Sequence, residues 1–295
     1  MLFLYLTAYN SDDLCKSNTG LGNVLFQLAF QYCIHKKYDI DSNYFYLSQF
    51  IKKLKGFGLT NYDTSIYRRF YNIDNISPNI DVILKESRCH FYDKQLINNI
   101  IKHRNKNILI KNSYLQSNRY FQEYENEIQE IFSPDDKSLK LIYKKYPQIQ
   151  NNKVINVSIH LRLEWGANRT TKPDYYQNAI KYIENKYKNS QNNINYFVFS
   201  DNINKAKTIL SQLNKLFIYC ENNPDYIDLW VMSLCNHNII CHSTLGWWGA
   251  YLNKNKDKCV LYPFDMISFY SFANIVKDDH IPSNWISIRS NSIRR

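Results

Sequence analysis

Hydrophobic and polar residues follow two alternating periodicities in the second half of the chain. Short continuous apolar runs, such as residues 154–159 and 196–199, have the length and composition of strands buried on both faces. Between them, apolar residues recur every three to four positions, which predicts helices over residues 173–187 and 202–213. Three further strands (216–219, 238–241, 260–262) and two helices (225–235, 244–253) continue this order. The pattern predicts an α/β fold with a mostly parallel, doubly wound sheet, whose ligands bind beyond the carboxyl ends of the strands.

The first half of the chain has a less regular pattern. It predicts a strand at residues 2–7, a long helix at 23–36, a strand at 107–111 and an acidic helix at 118–132. A polar stretch at residues 135–152 then separates the two halves. We therefore predict two domains, residues 1–150 and 151–295.

Composition narrows the function classes. The 295 residues are 44% hydrophobic, which is enough for sizeable cores, and the net charge is +11. The basic residues are dispersed along the chain, and no nucleic-acid recognition motif accompanies them, so a nucleic-acid partner is not expected.

The seven cysteines form no C-x-x-C pair, which favours a reducing compartment. With no apolar run of membrane-spanning length and no leader pattern, a cytoplasmic location with at most peripheral membrane association is expected. The oligomeric state stays open.

A glycine pair precedes the predicted helix of the first half, in the sequence Gly20-Leu21-Gly22-Asn23. Glycines let the backbone approach a ligand closely, and the first amides of a helix attract anions. An ordinary turn at the entry of a helix accounts for the same pattern.

Polar residues follow two of the predicted strands in the second half. His160 and Arg162 stand at the end of the first strand, where alternation places both side chains on one side and a guanidinium can grip phosphate oxygens. Ser200 and Asp201 follow the next strand. A carboxylate there can bind the ribose or base of a nucleotide, or either residue can cap the helix that follows.

A third group, His242, Ser243 and Thr244, lies between a strand and a helix that begins with Trp247-Trp248. Hydroxyls and unpaired amides at a helix start form a natural phosphate site, although the hydroxyls can also serve as a cap. The two tryptophans are interpreted as core residues.

Taken in order, these segments resemble the α-1,2-fucosyltransferases of glycosyltransferase family 11. The family shows a G-G-L-G-N-Q loop, an H-x-R-R-G-D strand end, an F-x-F-S-D-D strand and a D-x-x-L-M-S-x-C segment that ends in N-S-[ST]-x-S-W-W. The corresponding stretches here are residues 20–27, 160–162, 197–201 and 228–248, and the tetrapeptide at 114–117 is similar to the family's Y-F-Q-S.

The resemblance implies a GT-B fold, in which two Rossmann-like domains face a central cleft. The N-terminal domain would lie on the acceptor side and the C-terminal domain would bind the nucleotide sugar. GDP-fucose is the implied donor, with inversion at the anomeric carbon, a glycan acceptor, no separate cofactor and no required metal.

The resemblance also implies roles for the candidate residues. Arg162 and His160 would stabilise the departing diphosphate, Ser243 and Thr244 would donate to its β-phosphate, and Asp201 would lie near the guanosine. Gly22 and Asn23 would contact the sugar-phosphate.

Two of these motifs depart from the family pattern. Leu163-Glu164 replaces the second arginine and the residue after it, and His242 replaces an asparagine. Glu164 is the candidate for the catalytic base, since a base must be a carboxylate or another proton acceptor within reach of the acceptor hydroxyl. These departures keep two alternatives open: a transferase that uses another nucleotide sugar, and a catalytically silent nucleotide- or sugar-binding relative.

Overall fold

The computed structural model describes residues 1–5, 20–45, 79–111, 113–164, 171–190, 193–266 and 279–290. The chain divides into two compact units, Met1–Glu130 with Ile275–Pro282, and Ile131–Asn274 with Ser283–Arg295. Each unit contains a sheet whose strand pairs are parallel, flanked by helices. The predicted α/β fold of the GT-B type, with two Rossmann-like units, is confirmed.

In the described part of the first unit, the strands form a sheet in the order β2 (Ser42–Phe45), β1 (Leu2–Tyr5), β4 (Ile108–Ile110) and β3 (Val82–Leu84). Helix α1 (Leu21–Tyr38) begins directly after Gly20 and is buried along most of its length, because apolar residues occupy nearly every turn. The elements are β1 (Leu2–Tyr5), α1 (Leu21–Tyr38), β2 (Ser42–Phe45), β3 (Val82–Leu84), α2 (Lys94–Lys102), β4 (Ile108–Ile110) and α3 (Glu125–Ile131).

In the described part of the second unit, the strands form a sheet in the order β10 (Ile286–Ile288), β9 (Val260–Pro263), β8 (His237–Ile239), β5 (Val154–Leu161), β6 (Asn193–Ser200) and β7 (Phe217–Tyr219). The central strands β5, β6, β8 and β9 are largely buried, as the continuous apolar runs predict, and an apolar core packs around β5. The elements are α4 (Asp136–Lys145), β5 (Val154–Leu161), α5 (Pro173–Tyr187), β6 (Asn193–Ser200), α6 (Ile203–Leu210), β7 (Phe217–Tyr219), α7 (Asp225–Ser233), β8 (His237–Ile239), α8 (Thr244–Tyr251), β9 (Val260–Pro263) and β10 (Ile286–Ile288).

The boundary between the units lies earlier than the predicted division at residue 150. The polar stretch at which we placed the domain boundary contains α4, which begins with a hydrogen bond from the Ser138 backbone N–H to the Asp135 side chain. Ile142 of this helix is buried, and the following Tyr146 packs edge-on against Phe197 of β6, with 6.0 Å between ring centroids. Because α4 packs on the second sheet, it belongs to the second unit.

The described residues can be compared with the expectations about membrane-spanning segments and cysteines. Within the described ranges, no helix combines the length and the apolar character needed to cross a bilayer. Six cysteines fall in those ranges and carry free thiols: Cys33, Cys89, Cys220, Cys235, Cys241 and Cys259.

Candidate functional site

The second sheet has a topological switch point between β5 and β8. From β5 the chain continues outward through β6 and β7, then returns to the opposite side of β5 with β8 and β9. Ligands of open α/β sheets bind in the crevice at the carboxyl ends of the two strands where the order reverses. His160, near the end of β5, and Ser243, shortly after β8, both flank this point.

His160 is buried at this crevice, with only 5% of its surface exposed. Its ring lies against Gly246 in the first turn of α8, where an added Cβ would come within 2.5 Å of Nδ1. Burial, reinforced by the nearby Arg162 charge, lowers the pKa of His160 to about 4. The imidazole is therefore neutral at pH 7 and donates one N–H, and its buried Nδ1 has no hydrogen-bond partner in the part of the chain that the structure describes.

The lowered pKa gives a testable pH dependence. Because the pKa of His160 is below the value of about 6.5 in an unfolded chain, acid protonates the unfolded state first. The stability contribution of the neutral ring is complete above pH 6.5 and decreases as the pH falls towards 4. From pH 7 to pH 5 the wild type should lose about 2 kcal/mol more unfolding free energy than a His160→Gln variant. Denaturant unfolding of both proteins at the two pH values measures this difference, and equal losses would contradict it.

Arg162 follows β5 and pairs with Asp201, which follows the neighbouring β6. The guanidinium Nη1 lies 3.3 Å from Asp201 Oδ2, and the arginine side chain is 45% exposed. The same carboxylate accepts the backbone N–H of Leu163 at 2.7 Å and that of Glu164 at 3.1 Å. Asp201 thus holds the loop after β5, so its oxygens are engaged within the protein rather than directed only at a ligand.

Ser200 and Asp201 do not cap α6. The cap is Asn202, whose side-chain oxygen accepts the Lys205 backbone N–H at 2.9 Å. The Ser200 hydroxyl instead accepts the Asn202 backbone N–H at 3.1 Å and closes a tight turn at the end of β6.

Glu164 is half-exposed and paired within its own unit. Its carboxylate accepts hydrogen bonds from Lys205 Nζ at 2.8 Å and from Asn202 Nδ2 at 2.6 Å. These bonds, led by the one from Lys205, lower the pKa of Glu164. The carboxylate is ionised at neutral pH, as a base must be, but the pairing makes it a weaker proton acceptor.

The start of α8 keeps the features of an anion site. Ser243 occupies the N-cap position in an extended conformation, yet its hydroxyl makes no capping hydrogen bond. Thr244 is the first residue of the helix, so both hydroxyls and the first amides stand at the carboxyl end of β8. A helix start of this kind favours a negatively charged group.

His242 points into the protein and is 1% exposed. Its Nδ1 lies 2.9 Å from the Thr171 hydroxyl, and its Nε2 lies 3.7 Å from Asp265 Oδ1. The ring that replaces the family's asparagine therefore faces protein groups on both sides. Trp247 and Trp248 are fully buried, which confirms their interpretation as core residues.

An open pocket of about 440 Å³ lies at the carboxyl ends of β6 and β7. Its lining is acidic and amide-rich, and it includes Asp201, Glu221 and Asp228 together with Asn202, Asn204, Asn222 and Asn223. Burial raises the pKa of Asp228 to about 7, and Asn223 Nδ2 donates to its Oδ1 at 2.7 Å. Sequence reasoning did not predict Glu221 or Asn223 here, because both lie in a loop without a motif.

The glycine loop lies in the first unit. Gly20 is the N-cap of α1 with φ −75°, and open space surrounds the position of an added Cβ. Gly22 and Asn23 fall inside the first turn of α1, and Asn23 Oδ1 accepts a hydrogen bond from Gln116 Nε2 at 2.7 Å. The glycine loop and the Tyr114–Ser117 tetrapeptide are therefore neighbours in space, which their sequence separation does not reveal.

Comparison with known proteins identifies the class to which this fold and site belong. The sequence profile of glycosyl transferase family 11 matches residues 2–289. The protein is a glycosyltransferase, and it belongs to glycosyl transferase family 11.

The chain is also similar to individual proteins. The chain is 28% identical to the O-antigen biosynthesis glycosyltransferase WbnK of Escherichia coli, over 91% of this chain and 98% of WbnK. It is also 28% identical to an α-1,2-colitosyltransferase of Escherichia coli, over 59% of this chain and 61% of that protein. The solved fucosyltransferase NodZ from Bradyrhizobium aligns over 84% of this chain and 90% of its own, with 10% identity and a TM-score of 0.46.

Proposed function

We propose that this enzyme transfers L-fucose from GDP-fucose to the 2-hydroxyl of a galactose-like sugar in a glycan acceptor, with inversion and without a required metal ion. The observation that carries the proposal is the convergence of His160, Arg162 and the start of α8 at the switch point of the second sheet. These are the residue types and the place that suit a nucleotide diphosphate.

In this proposal the second unit binds the nucleotide sugar. Arg162 and the N–H of the neutral His160 donate to the diphosphate, and Ser243 and Thr244 add hydroxyl and amide donors. As the bond to the sugar breaks, negative charge accumulates on the departing diphosphate. Fixed donors that meet this charge lower the barrier, and a fixed guanidinium can take the place of a divalent cation.

The acidic pocket at the ends of β6 and β7, beside Arg162, supports a guanine nucleotide as the ligand. Guanine presents two adjacent N–H donors on one edge, and a carboxylate such as that of Asp228 or Glu221 is a matching acceptor. We assign the nucleoside to this pocket, with Asp201 at its border holding the Arg162 loop.

The first unit, in the same proposal, is the acceptor-side unit. Its Gly20, Gly22 and Asn23 contribute backbone and amide groups to the sugar-phosphate. Glu164 is the proposed base, and its pairing with Lys205 requires that the acceptor compete with that ion pair.

Two relatives bear on the linkage and on the sugar. One is named an α-1,2-colitosyltransferase, and a second, from Caenorhabditis elegans and 23% identical over 95% of this chain, is named a putative galactoside 2-α-L-fucosyltransferase. Both names refer to transfer to a 2-position, which supports the proposed linkage. The first name favours colitose, which lacks the 3-hydroxyl of fucose, as the second candidate sugar.

Nucleotide binding separates these possibilities. We expect GDP to raise the melting temperature by several degrees, with UDP, CDP and a DNA oligomer having no comparable effect, because ligand that binds only the folded state stabilises it. Release of GDP from GDP-fucose in the presence of a galactoside acceptor and a chelator would exclude a silent relative. If GDP-colitose alone supports turnover, the proposed sugar is wrong, but the proposed diphosphate site at Arg162, His160 and the start of α8 is retained.

A further inference from the structure

Lys145, the last residue of α4, reaches the loop between β7 and α7. Its Nζ donates to the carbonyl oxygen of Glu221 at 2.8 Å and to Oδ1 of Asn223 at 2.6 Å. Between these two residues, Asn222 has φ 57°, a left-handed conformation that asparagine adopts more readily than most residues. One ammonium group thus bridges both sides of a bend whose residues line the pocket at the ends of β6 and β7.

The side-chain amide of Asn223 has one favoured orientation. Because an ammonium group can only donate, the atom that faces Lys145 must be the amide oxygen. The NH₂ end then has two acceptors, since Nδ2 donates to Oδ1 of Asp228 and to the Tyr146 hydroxyl, each at 2.7 Å. Turning the amide over would place its oxygen against the Asp228 carboxylate and its NH₂ group against the ammonium. Lys145 therefore determines that Asn223 donates to Asp228.

The charge of Asp228 depends on the same two residues. Burial raises the pKa of its carboxyl group to about 7, and the nearby Asp225 acts in the same direction. The Asn223 hydrogen bond and the positive charge of Lys145 lower that pKa. Loss of either would leave more of the carboxyl group protonated at pH 7, and a protonated carboxyl group accepts fewer hydrogen bonds.

Two other titratable groups lie near Asp228 on neighbouring elements. Tyr146 follows α4, and Cys220 follows β7. Burial raises the pKa of the Tyr146 hydroxyl and that of the Cys220 thiol, so both groups are neutral at pH 7. The charges that act on the Asp228 carboxyl group are therefore those of Asp225 and Lys145.

Asp228 differs from the other two carboxylates of the pocket. Glu221 Oε1 lies 2.7 Å from Lys207 Nζ in an exposed ion pair. Asp201 accepts two backbone N–H groups of the loop after β5, at 2.7 and 3.1 Å. Asp228 instead receives the neutral amide of Asn223. A carboxylate has about four acceptor positions, so this bond is compatible with two further N–H donors from a base.

We propose that Lys145 and Asn223 are positioning residues that hold the Asp228 carboxylate as a hydrogen-bond acceptor and thereby give the nucleoside pocket its preference for guanine. The inference rests on the proposed function, which assigns the nucleoside to this pocket. All of the groups involved belong to the second unit. Guanine offers a ring N–H and a 2-amino group on one edge, whereas hypoxanthine offers the ring N–H alone. An oriented carboxylate distinguishes the two bases.

The variant Lys145→Met tests the proposal without altering the wall of the pocket. Lys145 is exposed and is not a lining residue, and methionine keeps an apolar stem while removing the ammonium group. The Kd for GDP should rise about tenfold, but that for inosine diphosphate (IDP) only about threefold, because the lost hydrogen bond is the one to the 2-amino group. Titration calorimetry of both nucleotides measures the preference. With a saturating donor, kcat should stay within about twofold of wild type, since the diphosphate site is unchanged.

Lys144→Met is the matched control. Lys144 is the preceding, exposed residue of α4, and among the described residues it forms no bond with the loop between β7 and α7. Its substitution removes the same charge, so any general weakening of anion binding is the same in both variants. The control should keep the wild-type preference for GDP over IDP. An equal fall of that preference in both variants, or a wild type that binds GDP and IDP equally well, would overturn the inference.

A double variant shows whether Lys145 acts through Asn223. Asn223→Ala removes the amide and should itself lower the preference for GDP over IDP. Adding Lys145→Met to Asn223→Ala should change the preference by less than about twofold, because residues in one chain of contacts are not additive. A further threefold loss would mean that Lys145 does not act through Asn223, which contradicts its positioning role.

Titration of Asp228 makes the test independent of the nucleotide. In Lys145→Met and in Asn223→Ala the pKa of Asp228 should rise, because each variant lacks a group that lowers it, whereas Lys144→Met should leave it unchanged. The carboxyl ¹³C resonance of aspartate-labelled protein reports this pKa without ligand. Wild-type protein that binds no GDP rejects the proposed function. Wild-type protein that binds GDP, with the Asp228 pKa unmoved in both variants, overturns the positioning role alone.

Discussion

Replacing Arg162 with alanine is expected to lower kcat/KM for the nucleotide sugar by about 30- to 10³-fold, equivalent to ~2–4 kcal/mol of transition-state stabilisation. The guanidinium stands half-exposed after β5, beside the switch point, where the proposed reaction would develop charge on a departing diphosphate. Steady-state kinetics with a saturating acceptor, alongside the Kd for GDP, measures the loss and shows how much of it lies in the chemical step.

Two variants decide whether the arginine acts on the ligand or only on the protein. Arg162→Lys keeps the charge but loses the planar fork, so it should recover only part of the activity. Asp201→Asn weakens the 3.3 Å ion pair while leaving an acceptor for the backbone N–H of Leu163. If Arg162 merely balanced the charge of Asp201, Arg162→Lys would keep near-full activity and Asp201→Asn would cost as much as Arg162→Ala. Unchanged turnover in a folded Arg162→Ala protein would remove its proposed role.

Helices and strands with strong local signals were predictable from the sequence. The helix Pro173–Tyr187 was predicted with both ends correct, because a proline at its first position coincides with a clear apolar period. The strand predicted over residues 154–159 is also present, although it continues through His160 to Leu161. The local pattern sufficed for this strand because its residues from Asn156 onward are buried.

Elements without a continuous signal were missed. The helix Asp136–Lys145 has many charged residues and only one deeply buried apolar side chain, Ile142, so its sequence is typical of a linker. The predicted helix at 118–132 is interrupted at Phe121, where φ is −134°, and only Glu125–Ile131 is α-helical. Tertiary packing, which no local pattern encodes, decides both outcomes.

In the candidate site, too, some features could be predicted from the sequence and others could not. Its residue types were predicted from the ends of the strands, since β5, β6 and β8 are neighbours in a parallel sheet. Their partners were not predictable: Asp201 accepts hydrogen bonds from the amides of Leu163 and Glu164, and the Glu164 carboxylate accepts them from Lys205 and Asn202. These bonds depend on where a loop returns in space, so a carboxylate's sequence position shows its chemistry but not its partner.

A Gly246→Ala variant should be both less stable and less active. The added methyl group would lie 2.5 Å from Nδ1 of His160, so the ring or α8 must move. Overpacking of this kind lowers the unfolding free energy by about 1–3 kcal/mol. In the proposed function, the displaced imidazole would no longer direct its N–H at the diphosphate. We therefore expect kcat/KM to fall about tenfold to hundredfold, somewhat less than the 10²- to 10³-fold effect of removing a donor outright, because the ring is moved rather than lost.

Gly249→Ala in the same helix provides the matched control. Its methyl group would lie 2.7 Å from Cβ of Met232, on a contact between α8 and α7 that does not involve His160. Both variants should therefore melt at lower temperature, while only Gly246→Ala loses turnover per folded molecule. Equal activity losses at equal destabilisation would mean that turnover depends on the packing of α8 as a whole. A Gly246→Ala enzyme with the turnover of the Gly249→Ala control would show that the position of His160 does not limit the reaction.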